Sequence, residues 1–380
     1  PIDDDAIERG TSVYFPRRVI PMLPEGLSNG ICSLNPDEDR LVLVCDMLVH
    51  ATGAYAGTVQ GYQFYPAVIC SHARTTYTQV WDIIQQPDGP TARELAVVRD
   101  QVLELYDLYQ LFAQQRANRG ALDFDTVETQ IVCNDMGKIE RIEPLHRNHA
   151  HRLIEEFMLA ANTCAADFLT RTNRLGLYRV HEGSTPEKLG QLREYLRGMG
   201  LTLGGGDEPS SLDFSKLLNA VKARDDYEVI QTMIMRSMSQ AIYTPENSGH
   251  FGLAYKSYTH FTSPIRRYPD LLNHRVIKAQ LKRRKYMPTV EGFERAPGAS
   301  LKEYEHSVWE RLGVVLSAYE RRADEASYDV QAWLKCWYVR EHIGEVFSGK
   351  VTGVTNFGLF VTLDNFYVEG LVHISELASE

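Results

Sequence analysis

The segment His260-Phe261-Thr262-Ser263-Pro264-Ile265-Arg266-Arg267-Tyr268-Pro269-Asp270 crowds positive charge where a helix is expected to begin. Ser263 is a good N-cap and Pro264 a good first helical residue. The N–H groups of such a first turn already carry partial positive charge. Arg266 and Arg267 therefore cost stability there unless an anion sits among them. Phosphate suits both a helix N-terminus and an arginine fork. An ordinary surface helix offers a second explanation, with Arg266 paired to Asp270 at i,i+4. Spacing alone leaves both open.

The same segment closely resembles the signature of the ribonuclease II (RNB) family of 3′→5′ exoribonucleases. Further blocks resemble that family's catalytic domain: Arg9-Gly10-Thr11-Ser12-Val13-Tyr14-Phe15-Pro16, Ile20 to Glu25, Leu27 to Asn35 and Ser71 to Tyr77. So do the helix His151 to Asn162 and the run Asn247-Ser248-Gly249-His250-Phe251-Gly252-Leu253. The blocks extend from the first residues to about Cys336, so the resemblance covers nearly the whole chain.

A chain of 380 residues, 44% hydrophobic, can bury a large core and is expected to hold more than one domain. The net charge of −10 argues against a surface coated with basic residues, but not against a narrow basic channel under an acidic exterior. Cys32, Cys45, Cys70, Cys133, Cys164 and Cys336 show no paired spacing, which fits reduced thiols in a cytoplasmic protein. No apolar run reaches membrane-spanning length. Both ends read as cuts in a longer protein. From Leu271 to Lys285 the chain carries Arg275, Lys278, Lys282, Arg283, Arg284 and Lys285 with no acidic residue. A solvated helix end and a phosphate track both fit that run.

Leu41 to His50 and Thr58 to Cys70 read as strands turned near Gly53. Ala92 to Arg116 reads as one helix, with Leu95, Val98, Val102, Leu105, Leu108 and Phe112 on one side. A strand pair, Val127 to Asn134 and Lys138 to Ile142, is expected next, then a long helix from Arg147 to Arg171. Helices dominate through residue 285, and one long helix is expected from Leu301 to about His342. The pattern then turns to period two over Gly344 to Val351, Gly358 to Val361 and Val368 to His373. This end resembles the first half of an S1 domain, carried by Gly353-Val354-Thr355-Asn356-Phe357-Gly358-Leu359-Phe360-Val361 and Gly370-Leu371-Val372-His373-Ile374-Ser375. The expected fold class is α+β: a mixed-sheet and helical RNB catalytic domain with a deep channel over residues 1–342, then a partial OB-fold (S1) barrel over 343–380.

The resemblance implies stepwise hydrolysis of single-stranded RNA to nucleoside 5′-monophosphates with Mg²⁺, by a cytoplasmic monomer without a membrane partner. It assigns Arg266 to the scissile phosphate, with Ser263 and Arg267 beside it on RNA. It makes Tyr14 and Phe124 an aromatic clamp on the 3′-terminal bases; ordinary core packing is the alternative for both. Phe357, Phe360 and His373 would form a base-stacking face, as exposed aromatics of OB-folds do. A glutamate of the late helix, Glu320 or Glu325, would touch the terminal nucleotide. The family's aspartate cluster is expected before Pro1, so no metal ligand is assigned within the chain. Asp3-Asp4-Asp5 reads as a solvated helix start, not a substitute. His146, His149, His151 and Glu155 offer metal-capable spacing but no third ligand, so core or helix-surface roles are expected. A catalytically inactive RNA-binding protein of the same fold is the alternative function.

Overall fold

The computed structural model describes residues 2–124, 128–290 and 292–377. Its elements begin with α1 (Ile2–Arg9), β1 (Val13–Phe15), β2 (Arg18–Ile20), β3 (Asp39–Val49) and β4 (Val59–Cys70). Then come α2 (Tyr77–Gln85), α3 (Pro90–Glu94), α4 (Ala96–Arg119), β5 (Thr129–Cys133), β6 (Ile139–Pro144) and α5 (His149–Arg171). A helical stretch follows: β7 (Tyr178–Val180), α6 (Pro186–Gly198), α7 (Ser211–Val221), α8 (Tyr227–Ser237), β8 (Ile242–Thr244) and α9 (Tyr268–Leu281). The chain closes with α10 (Leu301–Val339), β9 (Gly349–Thr355), β10 (Gly358–Leu363) and β11 (Glu369–His373). Every strand pair among the described residues is antiparallel, and the sheets are small, so the class is α+β as expected.

The chain divides into two compact units. The first comprises Pro1–Thr11, Pro21–Phe124 and Arg147–Glu320. Its principal core gathers Tyr268, Leu272 and Val276 of α9, Leu169 of α5, and Trp309 and Leu312 of α10. A second cluster joins α6, α7 and α8 through Leu192, Leu196, Phe214 and Ile230. The β3–β4 ribbon lays Phe64 against Ala165 of α5 and Ile277 of α9, with Phe261 between. Local chemistry sets the helix starts. Asn148 caps α5 in a reciprocal box with His151, Thr185 precedes Pro186 at the start of α6, and Ser210 boxes with Asp213 at α7.

The second unit comprises Ser12–Ile20, Asp125–His146 and Arg321–Glu380. Ile139, Ile142 and Leu334 form its small buried cluster. Its three-stranded sheet runs β11-β10-β9. Gly358 is required there: its φ is +156°, and a Cβ would lie 2.2 Å from the Val372 carbonyl.

The β3–β4 hairpin, α5 and α10 fall where the periodicity places them. The helix expected over Ala92 to Arg116 is instead broken at Leu95, whose ψ of 33° closes α3 and opens α4. The first strand of the last segment starts at Gly349, not Gly344, which sits at φ +95°. Val127 lies outside the described residues. No helix among the described residues is long and apolar enough to cross a membrane.

Candidate nucleic-acid interface

The helix expected at Ser263 begins at Tyr268, with Arg267 at the N-cap and Pro269 in the first turn. Proline explains the shift. A helix from Pro264 would place Pro269 in its interior, without an N–H and against the Ile265 carbonyl. Starting later puts Pro269 where its missing donor costs nothing. Ser263 to Arg266 form a turn instead, with the Ser263 carbonyl accepting from the N–H groups of Arg266 and Arg267.

The ion pair is also reassigned. Asp270 is fully buried and binds Arg267, not Arg266, through Nε and Nη2, each at 2.8 Å. Its Oδ1 also accepts from the Ser263 N–H at 2.8 Å. The Arg266 guanidinium is left exposed, without an ion-pair partner among the described residues. The two arginines have thus separated: one closes the turn and the other is displayed by it.

Side chains that sequence reasoning did not single out hold this turn. Asn162 Oδ1 accepts from the N–H groups of Phe261 (2.9 Å) and Thr262 (3.2 Å). Asn273 Nδ2 donates to the His260 carbonyl at 3.0 Å. His274 stacks on Phe261 at 4.2 Å and reaches its carbonyl through Nε2 at 2.7 Å. The Tyr268 N–H donates to the Gly10 carbonyl at 2.9 Å, and Thr11 Oγ1 to that of Arg266 at 3.1 Å. Gly10 has φ +70°, and a Cβ there would lie 2.9 Å from Tyr319 Cβ. The available signal was polarity out of place: Asn162 and Asn273 sit on otherwise apolar helix faces and are buried.

His260 opens the segment and lies half-buried beside Tyr243, Glu320 and Arg179. Tyr243 donates its one hydroxyl hydrogen to Glu320 Oε1 (3.2 Å), because a carboxylate only accepts. The Tyr243 oxygen must then accept from His260 Nδ1, at 2.7 Å. His260 is the Nδ1–H tautomer, kept neutral by burial, with nearby Arg267 and Arg179 adding repulsion. Arg179 Nη1 lies 2.7 Å from Glu320 Oε2 and neutralises the chain at its far end. Glu325 is exposed and belongs to the second unit.

Phe124, in the first unit, is half-buried against the Leu122–Phe214 cluster. Its segment is fixed by Leu122, whose N–H donates to the Gly252 carbonyl at 2.8 Å. Two neutral histidines hold that loop in turn. His181 Nδ1 accepts from the Gly252 N–H at 2.9 Å and His250 Nδ1 from that of Leu253 at 3.2 Å, with the rings 5.0 Å apart. Burial lowers both pKa values, His250 to about 3 with added repulsion from His181 and Arg179. The unfolded chain takes up these protons near pH 6.5, so the stabilisation is complete above that value and drains as pH falls. Unfolding free energy should drop between pH 7 and 5, by up to about 2 kcal/mol from His250, with His181 adding in the same direction. A His250→Asn variant, which keeps an acceptor but cannot titrate, should show a shallower profile; an unchanged one refutes this account.

Tyr14, in the second unit, is 51% exposed on β1, and its carbonyl accepts from Ser327 Oγ at 3.1 Å. It is not core. Phe357 is also exposed and meets Phe360 edge-on at 6.3 Å, while His373 pairs across from Gly358 and turns Nδ1 to Ser375 at 2.9 Å. The histidines near α5 pack: His149 against Trp81 and the Tyr109 hydroxyl, His151 stacked on Tyr77 at 3.9 Å.

The acidic groups do not fit Mg²⁺, which demands near-octahedral oxygen ligands. Asp3 is held by Arg275 at 2.7 Å and the Tyr268 hydroxyl at 3.0 Å. Among the described residues, only Glu246, His306 and Glu310 bring three possible ligands together. They include an imidazole, whose two nitrogens face the two carboxylates at 2.5 and 3.5 Å.

Residues 1–283 match the RNB domain and residues 341–380 the S1 RNA binding domain. The chain belongs to the RNB-domain family. It is 47% identical to the Ribonuclease R of Vibrio cholerae over 381 residues, covering 100% of this chain and 45% of that one. It is likewise 47% identical to the Ribonuclease R of Escherichia coli, covering 100% and 46%. Mycoplasma genitalium RNase R, solved in complex with ribose methylated single-stranded RNA, matches with a TM-score of 0.87 and 29% identity, over 100% of this chain and 57% of that one. The chain thus spans about half the length of the curated relatives it matches.

Proposed function

We propose that the full-length protein is a 3′→5′ exoribonuclease that hydrolyses single-stranded RNA to nucleoside 5′-monophosphates with Mg²⁺, acting as a cytoplasmic monomer. One observation carries the reading: an exposed Arg266, without an ion-pair partner among the described residues, displayed by a turn whose backbone is held by Asn162 and Asp270. Such a guanidinium offers charge-assisted hydrogen bonds to a phosphate as negative charge grows on its oxygens. In this reading Arg267 and Ser263 serve the RNA by holding the turn through Asp270. Tyr14 and Phe124 stack the 3′-terminal bases, and Phe357, Phe360 and His373 stack bases upstream. Of the two glutamates we assign Glu320, because Tyr243 and His260 tie it to the signature segment. Among the described residues the carboxylates do not form a cage for Mg²⁺, so no step is routed through the ion.

Digestion of uniformly labelled poly(A) tests this. The full-length protein should release mononucleotides from the 3′ end, and chelating Mg²⁺ should stop it. Internal cuts would refute an exonuclease, and binding without turnover would leave only the inactive RNA-binding alternative. Tyr14→Ala should fold normally, since its ring is exposed, yet lose about 1–3 kcal/mol of stacking per base. It should release RNA earlier and leave longer terminal fragments, with the salt dependence of binding unchanged. Phe124→Leu should do the same while keeping most of its packing. Unchanged end products in a folded variant would remove either residue from the clamp.

A further inference from the structure

The C-terminal end of α9 carries a cluster of cations that the site above does not use. Six basic residues lie between Leu271 and Lys285 with no acidic residue among them. Two are occupied. Arg275 holds Asp3 and the hydroxyls of Tyr268 and Tyr286, and Lys285 holds Glu305. Lys278, Lys282, Arg283 and Arg284 are exposed, and none has an ion-pair partner among the described residues. Arg174, just past the end of α5, adds a fifth charge: its Nε donates to Gln280 at 2.7 Å, and it lines a small cleft with Arg284.

The helix dipole accounts for Lys278, which lies in the last turn, but its effect falls off within that turn. Arg283 needs another explanation. It sits just past the C-cap with φ +54°, the left-handed conformation for which glycine is preferred. A residue kept in a strained conformation points to work done by its side chain. In a chain of net charge −10, such a local excess of cations matches a polyanion.

We infer that this surface is a second RNA contact, gripping backbone phosphates upstream of the 3′-terminal nucleotides. The inference rests on the RNA reading above. From Tyr268 at its start, α9 rises about 15 Å to Lys278 in its last turn and about 21 Å over its fourteen residues. A strand of two or three nucleotides held at Arg266 is too short to reach the patch, whereas a long one can. Contacts of this kind are sequence-independent and strongly salt-dependent.

The test compares three- and thirty-nucleotide oligoadenylates binding to the full-length protein without divalent cations. In the variant carrying Lys278→Gln, Lys282→Gln, Arg283→Gln and Arg284→Gln, affinity for the long strand should fall 10- to 100-fold. The slope of log K against log salt should flatten by about 0.7 per lost phosphate contact. Affinity for the short strand should not change. Arg283→Gly separates binding from structure: it should raise the melting temperature while weakening the long strand. Should the fourfold variant misfold, the Lys282→Gln, Arg284→Gln pair should give part of the effect. Equal losses on both strands, or none on the long one, overturn the inference and leave the exonuclease reading intact. So does a variant that keeps the long strand but loses phosphatidylglycerol vesicles, which would make the patch a membrane contact. Failure of the unmodified protein to bind either strand removes both readings.

Discussion

In the full-length protein, replacing Arg266 by Ala should lower single-turnover cleavage by about 10²-fold or more, the scale of a removed oxyanion donor, while RNA affinity should barely move. The expectation follows from how Arg266 is held. Its guanidinium is exposed and supports no described part of the fold, so its removal leaves the turn intact. Everything fixing its backbone lies elsewhere, in Asn162, Asp270 and Thr11. Arg266→Lys should recover little, because an ammonium cannot reproduce the planar fork. Equal losses in binding and turnover would make Arg266 a simple phosphate anchor. A melting temperature well below that of the unmodified protein would show a structural role instead.

Asp270→Ala should be the most damaging single change to stability, at about 3–5 kcal/mol. Asp270 is fully buried and accepts three hydrogen bonds, two from Arg267. Deleting it leaves a largely buried guanidinium without its counter-charge and the Ser263 N–H without a partner. The double substitution Arg267→Met, Asp270→Leu should restore much of the stability, since an apolar pair of similar volume avoids the buried charge. It should not restore turnover, because the Ser263 amide that shapes the turn stays unanchored. Denaturant unfolding of the three proteins decides this; a double variant no better than the single one refutes it.

Much of the fold was legible because local rules and global packing agree. Runs rich in Val, Tyr and Phe on either side of Gly53 mark the β3–β4 pair, and the helix expected from Arg147 to Arg171 is α5. The site was legible only in part. Two prolines competed for the helix start, and the N-cap rule favoured the first while steric exclusion in a helix interior favoured the second. The second won, which moved the ion pair from Arg266 to Arg267. Weighing Pro269 in sequence would have found this. The chain His260–Tyr243–Glu320–Arg179 could not be found that way, because its members come from distant segments joined only by folding. Nor could the neutrality of His181 and His250, which depends on burial and on backbone N–H groups supplied by a loop.

The amides of Phe261, Thr262 and Ser263 end on Asn162 of α5 and Asp270 of α9. Those two helices share the principal core, so this turn should open together with that core and not in a melting step of its own. Arg266 is then a side chain with picosecond-to-nanosecond rotamer freedom on a backbone that stays still until the unit itself comes apart. An arriving strand meets a frame already set, and the only motion required of the protein at this point is the swing of one guanidinium.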